Sequence, residues 1–327
     1  MDEFERIDAM IAPLARGHAG TFDLTNDAAV LAPSPGNEIV LTKDMMAEGV
    51  HFLPDDPPEQ VAAKLLRTNL SDLAAMGARA RGYLLGLGLD GGRDEDWLAR
   101  FFEGLAQDQT LFDVFLLGGD TIVARKGILT LSLTAVGEIR AGAALTRSGA
   151  REGDIVAVSG TIGDAALGLL VRRGELGGLS AGDRAWLEDR YRLPQPRMAL
   201  GQGLVGLAHA ALDVSDGLMA DAGHLARRSG MRIELAWDQV PLSAAARRAV
   251  GMAPELRDTV VGGGDDYELL FTLPQERWDA LLRVAQDCDT PVTRIGRCRA
   301  GQGVAILDAS GENFAPAIGG WRHGEQG

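Results

Sequence analysis

Seven short segments of the chain each set aspartate among glycine, alanine, serine and threonine, and they constrain the fold more than any other feature. Their acids are Asp27, Asp44, Asp72, Asp120, Asp164, the pair Asp213 and Asp216, and the pair Asp265 and Asp266. Several follow apolar runs, at 115–117, 210–212 and 259–261, so we expect their carboxylates at strand ends. Two carboxylates about 4 Å apart repel by roughly 4 kcal/mol at an effective dielectric near 20. Mg²⁺ relieves such repulsion and usually brings substrate phosphates, so the pattern predicts a metal–phosphate enzyme.

Length and charge exclude several classes of protein. The 327 residues exceed one typical core, so we expect two domains. The net charge of −14 argues against nonspecific binding to nucleic acid or anionic membranes, because both depend on Lys/Arg clusters. No run approaches the 18 or so apolar residues of a membrane span, and the acidic start is unlike a signal peptide. Cys288 and Cys298 lack a histidine at zinc spacing. We predict a reduced, cytoplasmic protein.

Hydrophobic periodicity predicts α+β domains, since strands and helices mix in both halves of the chain. In the first half the predicted elements are a helix over the first fifteen residues, strands at 28–31 and 38–42, a helix at about 59–76, a strand at 81–89, a helix at 94–107, and strands at 113–117 and 128–136. Asn69 and Asp72 are three residues apart, so they share one face of their helix.

A stretch rich in glycine, alanine and charge, 137–153, marks the domain junction, giving domains at 1–140 and 141–327. The second half begins with a strand at 154–158 and a helix from about Asp164. A strand ending at Leu212 leads into a helix that Ser215 could cap and Gly230 would end. Further strands are predicted at 268–273, 292–296 and 303–307.

Familiar catalytic and nucleotide motifs are missing from the sequence. Two strings match G-x-G-x-x-G, at 86–91 and 201–206, but neither has the strand before it and the helix directly after it that a dinucleotide site needs. No P-loop string exists, and no Ser–His–Asp or Cys–His set can be assembled. We therefore assign no catalytic side chain. His209 and His224 lie on predicted helices without metal-ligand partners, so we interpret them as structural.

Each candidate residue also has a structural alternative when it is taken alone. Asp213, Ser215 and Asp216 could simply cap a helix, and Asp265 could belong to an ordinary glycine-rich loop. His51 could be a partly buried loop histidine, and Trp321 could anchor the C-terminal tail. Asp72 differs, because aspartate is mildly unfavourable in the middle of a helix, which favours a functional role.

The order of the motifs adds information that no single motif carries. They occupy residues 26–30, 44–52, 69–77, 118–121, 147–150, 213–218 and 262–270. In this order and at these separations they resemble thiamine-monophosphate kinase, a family of the aminoimidazole ribonucleotide synthetase superfamily. The resemblance covers the chain from about residue 4 to residue 321.

The resemblance implies ATP-dependent phosphorylation of thiamine monophosphate to thiamine diphosphate, assisted by Mg²⁺. It also implies a two-domain aminoimidazole ribonucleotide synthetase-like fold, with mixed sheets flanked by helices in each domain, and a homodimer formed through the N-terminal halves. Domain 1–140 would carry the metal and ATP site and the dimer contacts, and domain 141–327 would complete the active site. Because the acceptor is a phosphate, largely dianionic at pH 7, it needs no general base. We expect direct in-line attack on the γ-phosphate.

The family pattern also assigns residues. The Mg²⁺ ligands would be Asp27, Thr42, Asp44, Asp72, Asp120, Asp213 and Asp216. The nucleotide would lie at Gly119, Asp120, Arg147 and Ser215, and the thiamine phosphate would face His51, Asp265 and Trp321.

Three departures from the family pattern bear on metal number and affinity. Asn26 stands where the family commonly has an acid, Lys43 where it has Thr or Ser, and Asp265 where many members have Glu. With Asn26 and Lys43 as lesions, the chain could be a nucleotide-binding sensor with weakened catalysis. A separate alternative is another ATP-dependent enzyme of the superfamily, such as aminoimidazole ribonucleotide synthetase.

Overall fold

The computed structural model describes residues 5, 7–18, 20–123 and 127–314. The chain divides into two compact units, one formed by residues 1–73 and 78–142, the other by residues 74–77 and 143–327. Among the described residues, no helix combines the length and the apolar character needed to cross a membrane. Trp321, one of the predicted substrate residues, lies outside the described part of the chain.

The first unit is built on a mixed four-stranded sheet. Its strands are β1 (Asn37–Ala47), β2 (Arg79–Leu89), β3 (Phe115–Val123) and β4 (Thr130–Arg140), in the order β1-β4-β2-β3. Its helices are α1 (Pro58–Ala75) and α2 (Glu95–Phe112). Strands β2 and β3 are parallel, and the other two pairs are antiparallel. The two helices are held together by the buried Arg67 on α1, which donates two hydrogen bonds, of 2.7 and 2.8 Å, to Asp108 on α2.

This sheet buries one face and leaves the other open. Successive side chains of a strand point to opposite faces, so alternate residues share an environment. On β4, Leu131 and Leu133 are fully buried, whereas on β1 Leu41 is 65% exposed and Met45 is 55% exposed. Leu84 on β2 is exposed on the same side as these two. The first unit therefore exposes several large apolar side chains on the open face of its sheet.

The second unit is built on a mixed six-stranded sheet. Its strands are β5 (Ile155–Ser159), β6 (Ala210–Asp213), β7 (Arg232–Ala236), β8 (Leu269–Leu273), β9 (Val292–Arg299) and β10 (Gly303–Leu307), in the order β10-β7-β9-β5-β8-β6. Its helices are α3 (Asp164–Arg172), α4 (Ala181–Arg192), α5 (Met198–Leu204), α6 (Leu218–Ser229), α7 (Ala244–Met252), α8 (Leu256–Gly262) and α9 (Trp278–Asp287). Only β10 and β7 pair in parallel among these strands.

Both faces of the second sheet are covered. Val156 and Val158 of β5 belong to one buried apolar cluster, and Ile155 and Ala157 belong to another. Every residue of β8 is buried as well. Together with the first unit, these mixed sheets flanked by helices confirm the predicted α+β class.

The predicted secondary structure is wrong in three segments. Residues 28–31 form no strand: the segment ends at Pro33 and Pro35, which cannot donate to a ladder, and Val30 is 65% exposed. The apolar run 259–261 belongs to the helix α8 rather than to a strand, because a short apolar run does not distinguish the two by itself. Of the predicted N-terminal helix, the described residues form a π-helical turn, Ile7–Ile11, followed by a 3₁₀ turn, Ala12–Leu14.

Candidate active site

An oxygen-rich cluster in the first unit joins strand β1 to helix α1. The Thr42 hydroxyl donates a 2.5 Å hydrogen bond to the Asp72 carboxylate, and the backbone N–H of Asp44 donates a 3.1 Å bond to the side-chain oxygen of Asn69. Asn69 is fully buried, and its amide is anchored on the Leu65 carbonyl, one turn earlier in α1. The predicted ligands Thr42, Asp44 and Asp72 therefore lie together. Asn69 and Asp72 both face β1, in agreement with the prediction that they share one face of α1.

The pKa of Asp44 is displaced in this cluster. Burial and the neighbouring Asp72 carboxylate raise it from 3.8 to about 6, while a hydrogen bond with Thr68 acts in the opposite direction. Burial, the larger cause, disfavours the charged form of Asp44, and the neighbouring negative charge adds to the effect. Oxygen donors of this type, held at close quarters and repelling each other, fit a hard divalent cation.

Lys43 does not share this face. It lies between Thr42 and Asp44 on β1, so its side chain points to the opposite side of the sheet, where its ammonium lies 2.5 Å from the Ser132 hydroxyl. Within this unit, the Lys43 charge therefore points away from Thr42 and Asp44, contrary to the expectation that it would disturb the metal ligands.

Asp120 is kept apart from the Asp44 cluster. It lies inside β3, not at a strand end as predicted, because β3 continues to Val123. Asp120 pairs with Gly86, Gly86 with Ser132, and Ser132 with Met45, so all four lie on the open face of the sheet, opposite to Asp44. Three strand spacings separate β3 from β1, which is about 14 Å. Within one subunit, Asp44 and Asp120 cannot share an ion.

The other predicted residues of the first unit occupy separate positions. Asp27 is exposed in a bend before β1. Gly119 approaches β2 so closely that a Cβ built on it would lie 2.1 Å from the Leu85 carbonyl oxygen. His51 is half-buried in the loop after β1; the Ala47 N–H donates a 3.1 Å bond to its Nδ1, and the buried Lys64 ammonium donates a 3.0 Å bond to its carbonyl.

In the second unit, the turn between β6 and α6 carries the remaining predicted ligands. Asp213 ends β6 and is buried, whereas Ser215 and Asp216 are half-exposed. Ser215 does not cap α6 as predicted. The N-cap residue is Gly217, which has no side chain, and the Asp221 carboxylate instead accepts 3.0 Å bonds from the N–H groups of both Ser215 and Asp216. As predicted, α6 ends at Gly230.

Charge is concentrated at the start of α6. Burial raises the pKa of Asp221 to about 7, and Asp216 adds to the rise, while hydrogen bonds from the turn and the charge of Arg147 oppose it. Contrary to our expectation, His224 is not without potential partners, since its ring lies with the carboxylates of Asp216 and Asp221, ligand atoms within 4.8 Å of one another. Sequence reasoning missed Asp221; the available signal was an acid in the first turn of a helix that glycine begins.

A second loop, 263–267, is fastened to this turn. The Asp265 N–H donates a 2.9 Å bond to the Ser215 carbonyl, and the Tyr267 N–H donates a 2.8 Å bond to the Val214 carbonyl. Asp265 and Tyr267 both adopt left-handed backbone conformations, with φ of 73° and 52°, which are costly for residues other than glycine. The structure thus brings the predicted substrate residue Asp265 next to the predicted nucleotide and metal turn.

Two buried acids, Asp266 and Glu268, anchor the loop 263–267 to neighbouring elements of the second unit. The Asp266 carboxylate accepts bonds of 2.6 and 3.2 Å from the N–H groups of Gly163 and Ala165 at the start of α3, and burial raises its pKa well above 3.8. Glu268, fully buried, accepts hydrogen bonds from Ser159 and Arg197. We find no direct role in chemistry for either acid; both shape the loop.

Comparison with known proteins follows the same division of the chain. Residues 25–139 match the family model "AIR synthase related protein, N-terminal domain", and residues 151–308 match the corresponding C-terminal domain. Thiamine-monophosphate kinase of Caulobacter vibrioides is 43% identical over 326 residues, covering 98% of this chain and 91% of the relative. The chain belongs to the thiamine-monophosphate kinase family. The resemblance drawn from the ordered motifs is thereby confirmed.

Solved structures of this family agree. Thiamine-monophosphate kinase from Stenotrophomonas maltophilia superposes with a TM-score of 0.85 at 40% identity, covering 96% of this chain and 98% of that one. AaThiL complexed with AMPPCP and TMP gives a TM-score of 0.78 at 32% identity, covering 98% and 96%. The predicted two-domain aminoimidazole ribonucleotide synthetase-like fold is confirmed.

Proposed function

We propose that this protein transfers the γ-phosphoryl group of ATP to thiamine monophosphate, giving thiamine diphosphate. The observation that carries the proposal is the family membership over nearly the whole chain. The relative bound to AMPPCP and TMP supports both substrates. The crowded acids at Asp44 and Asp72 are what such a reaction requires of the protein, since phosphoryl transfer depends mainly on positioning and on neutralising charge.

We further propose how the described residues divide the work. The acids and hydroxyl of the first unit, Asp27, Thr42, Asp44, Asp72 and Asp120, and the acids of the second, Asp213 and Asp216, would hold Mg²⁺. When bound, the metal would neutralise phosphate charge. Gly119, Asp120, Arg147 and Ser215 would contact the nucleotide, and His51 and Asp265, with Trp321, the thiamine phosphate. No side chain is assigned as a base, because the acceptor phosphate is already ionised, and we propose direct in-line transfer.

A homodimer through the open sheet face of the first unit is part of the proposal. Leu41, Met45 and Leu84 expose an apolar surface that is flat where Gly86 and Gly88 replace side chains. Apolar faces of this kind mark interaction sites. Leu41→Asp should give monomers by light scattering, while Leu111→Asp, an exposed position on α2, should not.

We propose a cytoplasmic location. The free thiols of Cys288 and the buried Cys298 support it, because thiols persist in a reducing compartment.

The experiment that tests the function combines purified protein, Mg²⁺, ATP and thiamine monophosphate, with thiamine diphosphate measured by chromatography. Asp44→Ala and Asp216→Ala should each abolish product. Asp96→Ala, an exposed acid in the first turn of α2, should not, and serves as the matched control. Absence of product from the wild-type protein with ATP still bound would reject the kinase and favour the sensor. Product from an aminoimidazole ribonucleotide precursor instead would favour the other enzyme of the superfamily.

A further inference from the structure

The turn that carries Ser215 and Asp216 is held by a side chain that belongs to the helix following it. Asp221 is only 2% exposed, and its Oδ2 atom accepts the N–H groups of Ser215 and Asp216, each at 3.0 Å. These N–H groups precede the helix, and the carboxylate of Asp221, not a backbone carbonyl of the helix, accepts them. One carboxylate oxygen therefore fixes two successive peptide groups.

The N-cap position of α6 carries no capping side chain. Gly217 occupies this position with φ of 110°, and a Cβ there would lie 2.7 Å from the Gly262 carbonyl oxygen. A serine or aspartate, the usual capping residues, is therefore excluded at this position. The turn before the helix is held instead by Asp221, one turn inside α6.

The turn is also fastened on its other side. The Ser215 carbonyl accepts the Asp265 N–H at 2.9 Å, so the peptide groups around Ser215 are held from two directions. Asp213, Val214 and Gly217 are buried, which leaves the side chains of Ser215 and Asp216 as the half-exposed part of the turn. Their orientation depends on the two fastenings.

We propose that Asp221 is a positioning residue for phosphoryl transfer, which holds the Ser215–Asp216 turn so that these two side chains face the nucleotide and its metal. The inference rests on the proposed function, in which Ser215 and Asp216 have those roles. Asp221 contacts the backbone of the turn and acts through its neighbours, without touching the reacting atoms.

The geometry separates positioning from charge. Because both hydrogen bonds end on one oxygen atom, an asparagine amide oxygen can accept both, while alanine can accept neither. Asp221→Asn should therefore retain kcat within about threefold. Asp221→Ala should lower kcat by about 100-fold, the loss typical of a displacement near 1 Å at a reacting centre.

A double-mutant cycle tests whether Asp221 acts through the turn. Once Asp216→Ala has removed the group being positioned, adding Asp221→Ala should weaken the binding of Mg²⁺ and a non-hydrolysable ATP analogue by less than about threefold more. Asp183→Ala is the control for general destabilisation. Asp183 is a buried first-turn acid of α4 in the same unit, bonded to Ser180 and Arg248 and not to the turn. It should lower the melting temperature and leave kcat unchanged.

Titration calorimetry measures the binding of Mg²⁺ and a non-hydrolysable ATP analogue. This measurement separates failure of the inference from failure of the proposed function. Asp221→Ala should weaken binding at least tenfold and Asp221→Asn should not, even if the wild-type protein forms no thiamine diphosphate. Full activity and binding in Asp221→Ala would overturn the inference. Losses in Asp221→Asn as large as those in Asp221→Ala would also overturn it, because they would assign the role to charge. A third contrary result is a double variant whose loss equals the product of the losses in Asp216→Ala and Asp221→Ala.

Discussion

The buried Glu268 offers a demanding test of the fold around the predicted substrate loop. Its carboxylate accepts hydrogen bonds from Arg197 at 2.6 and 2.5 Å, from Ser159 at 2.6 Å and from Arg190 at 3.3 Å. Removing one partner of a buried ion pair costs about 3–5 kcal/mol, because the other charge stays buried without compensation. Since Arg190 and Ser159 remain, we expect Arg197→Met to cost about 3 kcal/mol, near the lower end.

The double variant tests whether the cost of Arg197→Met comes from the unpaired charge of Glu268. In Arg197→Met with Glu268→Met, no unpaired carboxylate remains, and apolar side chains of similar volume replace the ion pair. Such replacements are often close to neutral. Ser159 and Arg190 each lose an acceptor, which costs about 1 kcal/mol for each group. The double variant should therefore be more stable than Arg197→Met alone by about 1 kcal/mol.

The free energy of unfolding is measured by urea denaturation, monitored by tryptophan fluorescence, and the melting temperature is measured separately by thermal unfolding. At about 2–4 °C for each kcal/mol in a unit of this size, Arg197→Met should lower the melting temperature by about 6–12 °C. A double variant as unstable as the sum of the two single variants would refute the reasoning, since it would mean that the ion pair contributes nothing beyond its separate side chains.

Three further predictions concern the first unit. Asp44 has a pKa raised from 3.8 to about 6, so in EDTA the metal-free protein should lose up to about 3 kcal/mol of stability as the pH rises through that interval. Asp44→Asn should remove most of this loss at pH 7.5 and give no gain in stability near pH 4. As a control, the exposed Asp27→Asn should change stability little at either pH. An equal gain for Asp44→Asn at both pH values would contradict the assignment of the pH dependence to Asp44. EDTA should lower the melting temperature of the wild-type protein, and Mg²⁺ with ATP should restore it, by about 2.7 kcal/mol at 100 times the dissociation constant; an unchanged melting curve would count against a clustered acidic site. Gly119→Ala should cost about 1–3 kcal/mol in urea denaturation, because its Cβ would meet the Leu85 carbonyl at 2.1 Å, whereas the neighbouring Gly118→Ala, whose Cβ would meet only a Leu84 methyl group at 3.5 Å, should be nearly neutral.

Local patterns in the sequence determined more of this protein than its single motifs suggest. The periodicity of α1 predicted that Asn69 and Asp72 share a face, and the structure places both against β1. Hydrophobic periodicity predicted a strand at 128–136, and the structure forms β4 at Thr130–Arg140. The ordered aspartate motifs were sufficient to identify the family. These inferences succeed because helix and strand periods, and the spacing of motifs, are properties of neighbouring residues.

Tertiary structure decided what depends on partners distant in the sequence. The apolar run 259–261 became helical, and Asp120 came to lie within β3, on the edge of the sheet opposite to Asp44. The sequence suggested Ser215 as the helix cap, whereas in the fold Gly217 is the N-cap residue and Asp221 holds the turn. Strand order and close backbone contacts of this kind arise from pairing between remote segments, which no local pattern encodes. The sequence by itself therefore determined the family, and only the fold determined which of the predicted ligands lie close together.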